Sequence, residues 1–412
     1  MITSHINKKF YLITKKYSNQ FKISYFDFYQ HILKKHNFSE ITLCYFFKNL
    51  LLILLSLYSI LKTFLFNKSI KANYFIAKKN ENNYIDFRSQ YYIKEKNLKF
   101  KLNFTRSVNF NESLIIFFLY PNIIFIDSFK YFINYFIRIN NKDNFYKKKN
   151  KQNYFFYLIL RKIFVILKIK EISLIDDYRI SSFFINVADE LKIPSIGYMH
   201  GRISRYNVVH KYFAFSKIYV WSNYFRDKLA GINNQYKKDK KIVIKKSIKI
   251  SSKLINTFKK QKKDYTKINL LYVLDEVINA DLVINNFKNI IKYNKINFFV
   301  KFRPNENVNK NLINFCLKNN ITFFYRENIY EILLRHRINF IISYYSTLLI
   351  EASLLGIYPL MIVSNKKDYL SKELITDKAV IPLYSLKNFY KRIASLANNK
   401  KILKNIRKNI WQ

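Results

Sequence analysis

The chain has 412 residues, and hydrophobic residues make up 50% of them, which is more than one ordinary compact domain needs and enough for two, each with its own core. Lysine and arginine total 73 against 26 acidic residues, a formal charge of +47, accompanied by heavy use of Asn, Ile, Phe and Tyr and by 4 Gly, 5 Pro and 2 Trp. That skew is what an AT-rich coding bias gives, and charge of such origin is spread along the whole chain rather than gathered into one face, so nucleic acid is not the expected partner and attraction to acidic lipids or phosphorylated substrates remains as a secondary expectation.

In chain order, residues 1–30 alternate polar and aromatic side chains and carry no apolar stretch followed by small residues, so no secretory signal is read there. Residues 50–61 are nearly continuous apolar sequence between Lys48 and Lys62. A dozen residues fall short of the roughly 20 that span a bilayer, which favours a packed helix first and an interfacial helix with snorkelling lysines second. Residues 1–70 as a whole read as a helical N-terminal extension. From about residue 73 strands and helices alternate, with residues 114–118 and 122–126 as apolar strand candidates. Residues 172–175 form a strand ending in Asp176 and Asp177, residues 181–191 a helix, and residues 194–197 the start of the next strand and loop.

Lysine-rich patches at residues 147–151, 237–246 and 259–263 read as solvated faces or linkers. Residues 236–267 form a linker region with one short strand at 241–244. The alternation then becomes clean. Strands are expected at 269–274, 297–303, 321–325, 339–343 and 360–363. Helices are expected at 280–293, 310–318, 346–355, 386–396 and 402–411. Strands alternating with helices at this spacing imply an α/β fold with doubly wound parallel sheets, one over 71–235 and one over 268–412. Cys44 and Cys316 lie far apart in apolar surroundings and read as buried thiols, with no disulfide framework and no metal cluster, in keeping with a reducing cytoplasm.

Open parallel sheets bind ligands at the carboxyl ends of their strands. The polar residues expected there are Asp176, Asp177 and His200 in the first half, and Asp275, Glu276, Arg303 and the Ser343–Ser346 loop in the second. Two such domains suggest a cleft between them. The four glycines are Gly197, Gly201, Gly231 and Gly356. Two of them within Ile196-Gly197-Tyr198-Met199-His200-Gly201 mark a tight turn in so glycine-poor a chain. His200, with Arg202 and Arg205 just downstream, can take a proton from a hydroxyl near neutral pH. The segment from residue 339 to 360 is the strongest local signal. A strand runs into Tyr344-Tyr345-Ser346-Thr347, and a helix carrying Glu351-Ala352 ends at Gly356. Ser346 as the helix cap, with the free N–H groups beside it, would take a phosphate, and Glu351 the ribose hydroxyls. Arg303, before Pro304, suits a phosphate as well.

These pieces resemble GT-B glycosyltransferases of bacterial surface-carbohydrate biosynthesis, whose relatives include capsule polymerases, bacterial sialyltransferases and the CDP-glycerol glycerophosphotransferases of teichoic acid synthesis. Four segments carry the resemblance, which runs from about residue 172 to the C-terminus. Leu174-Ile175-Asp176-Asp177, the following helix and Ile193 through Gly201 look like the family's strand, helix and His-Gly loop. Tyr219-Val220-Trp221-Ser222-Asn223-Tyr224 looks like its next strand and turn. Val300-Lys301-Phe302-Arg303-Pro304 stands where many members have His-Pro, and Ser343 to Gly356 looks like the Ser-rich loop and Glu-Ala helix.

The resemblance implies two Rossmann-like domains facing across a cleft, with an acceptor-side domain at 71–235 and a nucleotide-donor domain at 268–412. It implies a metal-independent enzyme without a cofactor. That enzyme would transfer a sugar from a nucleotide-activated donor to a surface polysaccharide or lipid-linked glycan precursor, in the cytoplasm or at the inner face of the cell membrane. His200, or failing it Asp177, would act on the acceptor, while Arg303, Ser343, Ser346, Thr347 and Glu351 would hold the donor. Gly197, Gly201 and Gly356 would shape the loops. Arg303 replaces the usual histidine and Met199 a frequent glutamine, so the donor stays open. A non-hydrolysing nucleotide-sugar epimerase of the same fold is the nearer alternative, and a non-enzymatic basic protein binding membrane or nucleic acid the more distant one.

Overall fold

A computed structural model of the chain describes residues 12, 27–28, 43–66, 70–76, 85–86, 101–106, 109–120, 122–139, 144–175, 180–199, 201, 203, 208–245, 250, 252–261, 268–274, 280–303, 309–325, 327–363 and 369–411. Two compact units divide it. One comprises Met1–Trp221 and Phe225–Lys249, the other Ser222–Tyr224 and Ile250–Gln412. The division at 249/250 falls inside the region read from sequence as a linker. That region holds a strand and two helices, Gln235–Lys238 and Ser252–Lys260.

The first unit is built on a seven-stranded sheet. Its strands are β1 (Ile70–Ile76), β2 (Leu102–Arg106), β3 (Ile123–Phe125), β4 (Ile169–Ile175), β5 (Ser195–Tyr198), β6 (Lys217–Val220) and β7 (Lys241–Ile244). They lie in the order β3-β2-β1-β4-β5-β6-β7, every pair parallel. The second unit has β8 (Ile268–Val273), β9 (Ile296–Lys301), β10 (Thr322–Phe324), β11 (Phe340–Ser343), β12 (Tyr358–Ile362) and β13 (Ile381–Leu383). Their order is β10-β9-β8-β11-β12-β13, again all parallel. Both orders begin at the centre, run outward to one edge and then reverse, as in a doubly wound fold.

Parallel strands are covered by helices on both faces, so central ones carry apolar residues continuously. The strands β11 and β12 are buried at every position. Around them one cluster joins Tyr272, Phe287, Val300, Cys316, Ile342, Leu360, Ile393 and Ile406. Asn339 enters this layer at the opposite strand ends, its side-chain oxygen accepting from the Asn269 amide at 2.9 Å.

Some sequence expectations change and others gain detail. Residues 114–118 are not a strand but part of the helix Phe110–Leu119. A short apolar run has no period that separates strand from buried helix, and here Asn109 decides by capping, its side chain accepting from the Asn111 amide. The lysines at 147–151 belong to the first turns of the long helix Phe145–Ile166, capped by Asn144. The apolar run at 50–61 is the middle of a 24-residue helix, Leu43–Phe66, which shares a core cluster with β3 through Leu52 and Phe125. Cys44 on that helix is exposed, and Cys316 is buried.

Gly197 sits inside β5 rather than in a loop, and packing is its reason. A Cβ there would come within 2.6 to 2.8 Å of the ring of Phe215, which is itself wholly buried. Gly231, in the helix Asn223–Ile232, has open space where a Cβ would stand. Gly197→Ala should therefore cost about 1–3 kcal/mol as Phe215 is pushed aside. Gly231→Ala should leave stability unchanged or raise it by up to about 1 kcal/mol. Urea unfolding midpoints check the pair, and equal midpoints for both variants would refute the packing role of Gly197.

Candidate functional site

In the second unit the strand order reverses between β8 and β11. Their carboxyl ends part toward helices on opposite faces, which opens the crevice where open α/β sheets take ligands. Ser343 ends β11 at this point. Its hydroxyl is fully buried and donates to the Val273 carbonyl of β8 at 2.8 Å. That bond clasps the two strands at the switch point. It also commits the hydroxyl proton of Ser343, which removes that hydroxyl from the donors a phosphate could use.

The turn that follows is fixed from below. Tyr344 is buried, and its hydroxyl accepts from the Asn286 amide nitrogen at 2.7 Å, while the same nitrogen reaches the Tyr272 hydroxyl at 3.3 Å. Tyr345, Ser346 and Thr347 then come to partial exposure before the chain is buried again at Leu348. The helix is shorter than the sequence suggests, Leu348–Leu354, with Thr347 rather than Ser346 at the cap position and no cap bond from Thr347. The Ser346 hydroxyl instead accepts from the Leu348 amide at 3.3 Å. Gly356 ends the helix at φ 75°. Its own amide donates to the Ser353 carbonyl, and the amide of Ile357 donates to that of Ala352, the pair of bonds that only a left-handed residue allows.

Glu351 is buried to 5% exposure, and its Oε2 accepts from the Tyr330 hydroxyl at 2.8 Å. Tyr330 is in the helix Ile329–Arg335, whose cap is Asn328. Behind Glu351 the C-terminal helix Lys400–Trp411 is latched to the same short helix, Trp411 Nε1 donating to Ser353 Oγ at 3.0 Å.

On the other side of β8, strand β9 ends at Lys301, and Arg303 follows, half-buried. Since β9 and β11 both flank β8, Arg303 and Ser346 leave the same edge of the sheet, with two strand spacings, roughly 10 Å, between their strands. Lys301 was not singled out in the sequence, where lysine is too common to carry a signal. Here it is buried to 7% exposure, with Nζ donating to the carbonyls of Tyr325 at 2.8 Å and Phe302 at 3.2 Å. Burial lowers its pKa to about 8, against a smaller opposing pull from Glu327. Tyr330 likewise had no mark in the sequence, because its partner Glu351 is 21 positions away.

The site residues expected in the first half lie mostly outside the described residues. That holds for Asp176, Asp177 and His200, as it does for Arg202, Arg205, Asp275 and Glu276. Their surroundings are partly visible. Asp176 and Asp177 follow β4, which with β1 forms the switch point of the first sheet. His200 follows Met199, a buried residue whose carbonyl accepts from Trp221 Nε1 at 3.1 Å, and Gly201 after it is buried. Among the described residues no three His, Cys, Asp or Glu side chains converge as metal ligands would.

No protein-family model and no curated protein matches the chain. Solved structures do match it in shape. The Staphylococcus aureus MnaA–UDP co-structure overlays with a TM-score of 0.51 at 10% identity, covering 84% of this chain and 92% of that one. A Listeria monocytogenes protein described as a UDP-N-acetylglucosamine 2-epimerase gives 0.50 at 11% identity, over 83% and 92%. Acinetobacter baumannii MurG overlays more loosely, at 0.46 and 11% identity over 82% and 93%. With its two parallel sheets of seven and six strands the chain has the two-domain α/β architecture of the GT-B fold.

Lys301 generates a test of the site's electrostatics. With a pKa near 8 in the folded protein and 10.5 ordinarily, the folded state sheds this proton before the unfolded chain does. Between those two values the unfolded state binds more protons, so stability from this residue rises with pH. The wild type should gain stability relative to Lys301→Met as pH is raised from about 8 to about 10.5, and run parallel to it below that window. Denaturant titrations at several pH values measure the difference. Parallel curves throughout would show that the ammonium is solvated.

Proposed function

We propose that the chain is an enzyme that binds a nucleotide-activated sugar through its second unit and transfers the sugar to a surface polysaccharide or lipid-linked glycan precursor. The observation that carries the nucleotide assignment is the switch point of the second sheet. There a pinned turn brings Ser346 and Thr347 to the surface and is followed by a buried carboxylate. The MnaA structure, which shares the fold, was solved with UDP, and UDP is the first nucleotide to test.

In this reading the diphosphate lies against the hydroxyls of Ser346 and Thr347 and the guanidinium of Arg303. A helix of seven residues contributes little dipole, so side chains and turn amides supply the positive potential. Glu351 accepts a ribose hydroxyl. Each carboxylate oxygen can accept more than one hydrogen bond, and the bond from Tyr330 orients Glu351. Transfer joins the acceptor oxygen to the anomeric carbon and breaks the bond from that carbon to the phosphate. The electron pair leaves with the nucleotide, where Arg303 offsets the growing charge. The acceptor proton passes to His200, or to Asp177 in its place, a role that rests on the His-Gly loop of the sequence.

A second reading has its own support, since the Listeria monocytogenes match is described as a 2-epimerase. An epimerase would convert a nucleotide sugar with no acceptor present. Incubation of the purified protein with UDP-sugars, with and without glycan acceptors, separates the two readings by whether product requires the acceptor.

Calorimetry with UDP tests the site itself. Glu351→Ala should weaken binding about tenfold or more, the scale of a hydrogen bond to a charged group. His200→Ala should leave UDP binding intact and slow turnover about a hundredfold or more. A wild type without nucleotide affinity, or a folded Glu351→Ala that binds as the wild type does, would end the assignment.

A further inference from the structure

The helix Leu43–Phe66 in the first unit is built inside out. Its buried residues are Leu52 and Ile53 together with the polar Asn49, Ser56, Ser59 and Thr63. Its exposed side is leucine and aromatic, with Leu51, Leu54, Leu57, Leu61 and Leu65 between 41% and 64% accessible. One residue of the polar inner side, Ser56, has a structural cause. The helix packs against β3, the edge strand of the seven-stranded sheet, and an edge presents unpaired backbone groups. Ser56 meets one of them, its Oγ accepting from the Phe125 amide at 3.0 Å while donating to the Leu52 carbonyl at 2.7 Å.

Among the described residues nothing of that kind explains the outer side. It forms a stripe about 36 Å long at the ordinary helical rise, and Phe118 of the neighbouring helix Phe110–Leu119, 78% exposed, adds to the apolar surface of this part of the unit. Soluble surfaces seldom carry contiguous apolar area on this scale without a use for it.

We infer that this face is a membrane-docking surface and that its occupant is the acyl-chain boundary of an anionic bilayer. Three features choose lipid over protein. The stripe offers almost no hydrogen-bonding groups, whereas protein interfaces average about one hydrogen bond per 100–200 Å². The charged residues of the helix are Lys48 and Lys62, with no acidic residue, a pattern that places ammonium groups beside an apolar stripe at headgroup level. The chain's charge of +47 then complements an acidic leaflet, each basic residue near the surface adding to the attraction. Although 24 residues are long and apolar enough to cross a membrane, the bond from the Phe125 amide to Ser56 and the shared cluster with Phe75, Ile116 and Phe125 hold the helix to the folded unit. The helix therefore lies on the bilayer and does not span it.

The inference is independent of the nucleotide reading and is tested without any substrate. The full chain is sedimented with phosphatidylcholine vesicles, alone or mixed with phosphatidylglycerol, at low and at high salt. Binding should be strongest to the mixed vesicles and should persist in part at high salt, because the apolar share of the attraction is not screened. Leu54→Glu, Leu57→Glu and Leu61→Glu together should lower the high-salt binding about tenfold or more. In case that variant does not fold, a diazirine-bearing phospholipid is photolysed with the wild type, and the label should fall on the peptide 43–66. The inference is overturned by wild-type binding that vanishes at high salt, by undiminished binding of the folded triple variant, or by label confined to other segments. A wild type that is dimeric, made monomeric by the triple substitution and indifferent to vesicles, would likewise overturn it in favour of a second copy on this face.

Discussion

A parallel sheet covered on both faces admits polar side chains along its strands only where they are hydrogen-bonded, as Asn73 and Asn103 are to each other in the first sheet, and that constraint governs where the polar groups of the second sheet can go. In the second unit β11 and β12 are buried at each position. The polar groups these strands carry are therefore pressed to their ends. At one end Asn339 caps the neighbouring strand, and at the other Ser343 clasps β8 through the Val273 carbonyl. The crevice at the carboxyl edge follows from the strand order, since the helices after β8 and β11 depart to opposite faces.

What the turn after β11 can do depends on how firmly it is held. Tyr344 is anchored to Asn286 in the helix behind it, and Glu351 is held by Tyr330. Between these anchors Ser346 and Thr347 reach partial exposure on a backbone that the interior fixes. In the proposed site such preorganisation would let a small number of polar contacts bind a phosphate without first ordering a loop. Lys301 shows the converse. It lies at the same edge of the sheet, but its ammonium is turned inward onto the carbonyls of Phe302 and Tyr325, so it serves the strand ends and leaves the edge to Arg303.

The same logic of edges explains the first unit's oddest element. An open sheet has edges that must be covered, and β3 is covered by a helix whose polar face meets the free amide of Phe125. A helix that spends its polar residues on the inside has apolar ones left for the outside. One helix thus provides both a bond to the edge, through Ser56, and an apolar outer stripe with Lys48 and Lys62 along one side.

Most of the strands and helices from residue 268 onward, the parallel α/β class and the helix-ending role of Gly356 were legible in the sequence, because they depend on periodicity, turn residues and φ preferences that act over a few neighbours. The helices Ile329–Arg335 and Tyr369–Thr376 and the strand β13 were not read there, each being too short to show a period of its own. The run at 114–118 was not, since a short apolar segment has no period until a cap such as Asn109 selects the helix. Tertiary structure alone decided the rest. Gly197 is required by the ring of Phe215, Ser343 is spent on Val273, Glu351 is oriented by Tyr330, and Lys301 is buried among carbonyls. Each of these depends on a partner distant in the chain, and such pairings arise only when the sheet brings its strands together. The inverted helix Leu43–Phe66 belongs with them, for its composition announces an apolar segment but only its place on the sheet edge determines which face turns inward.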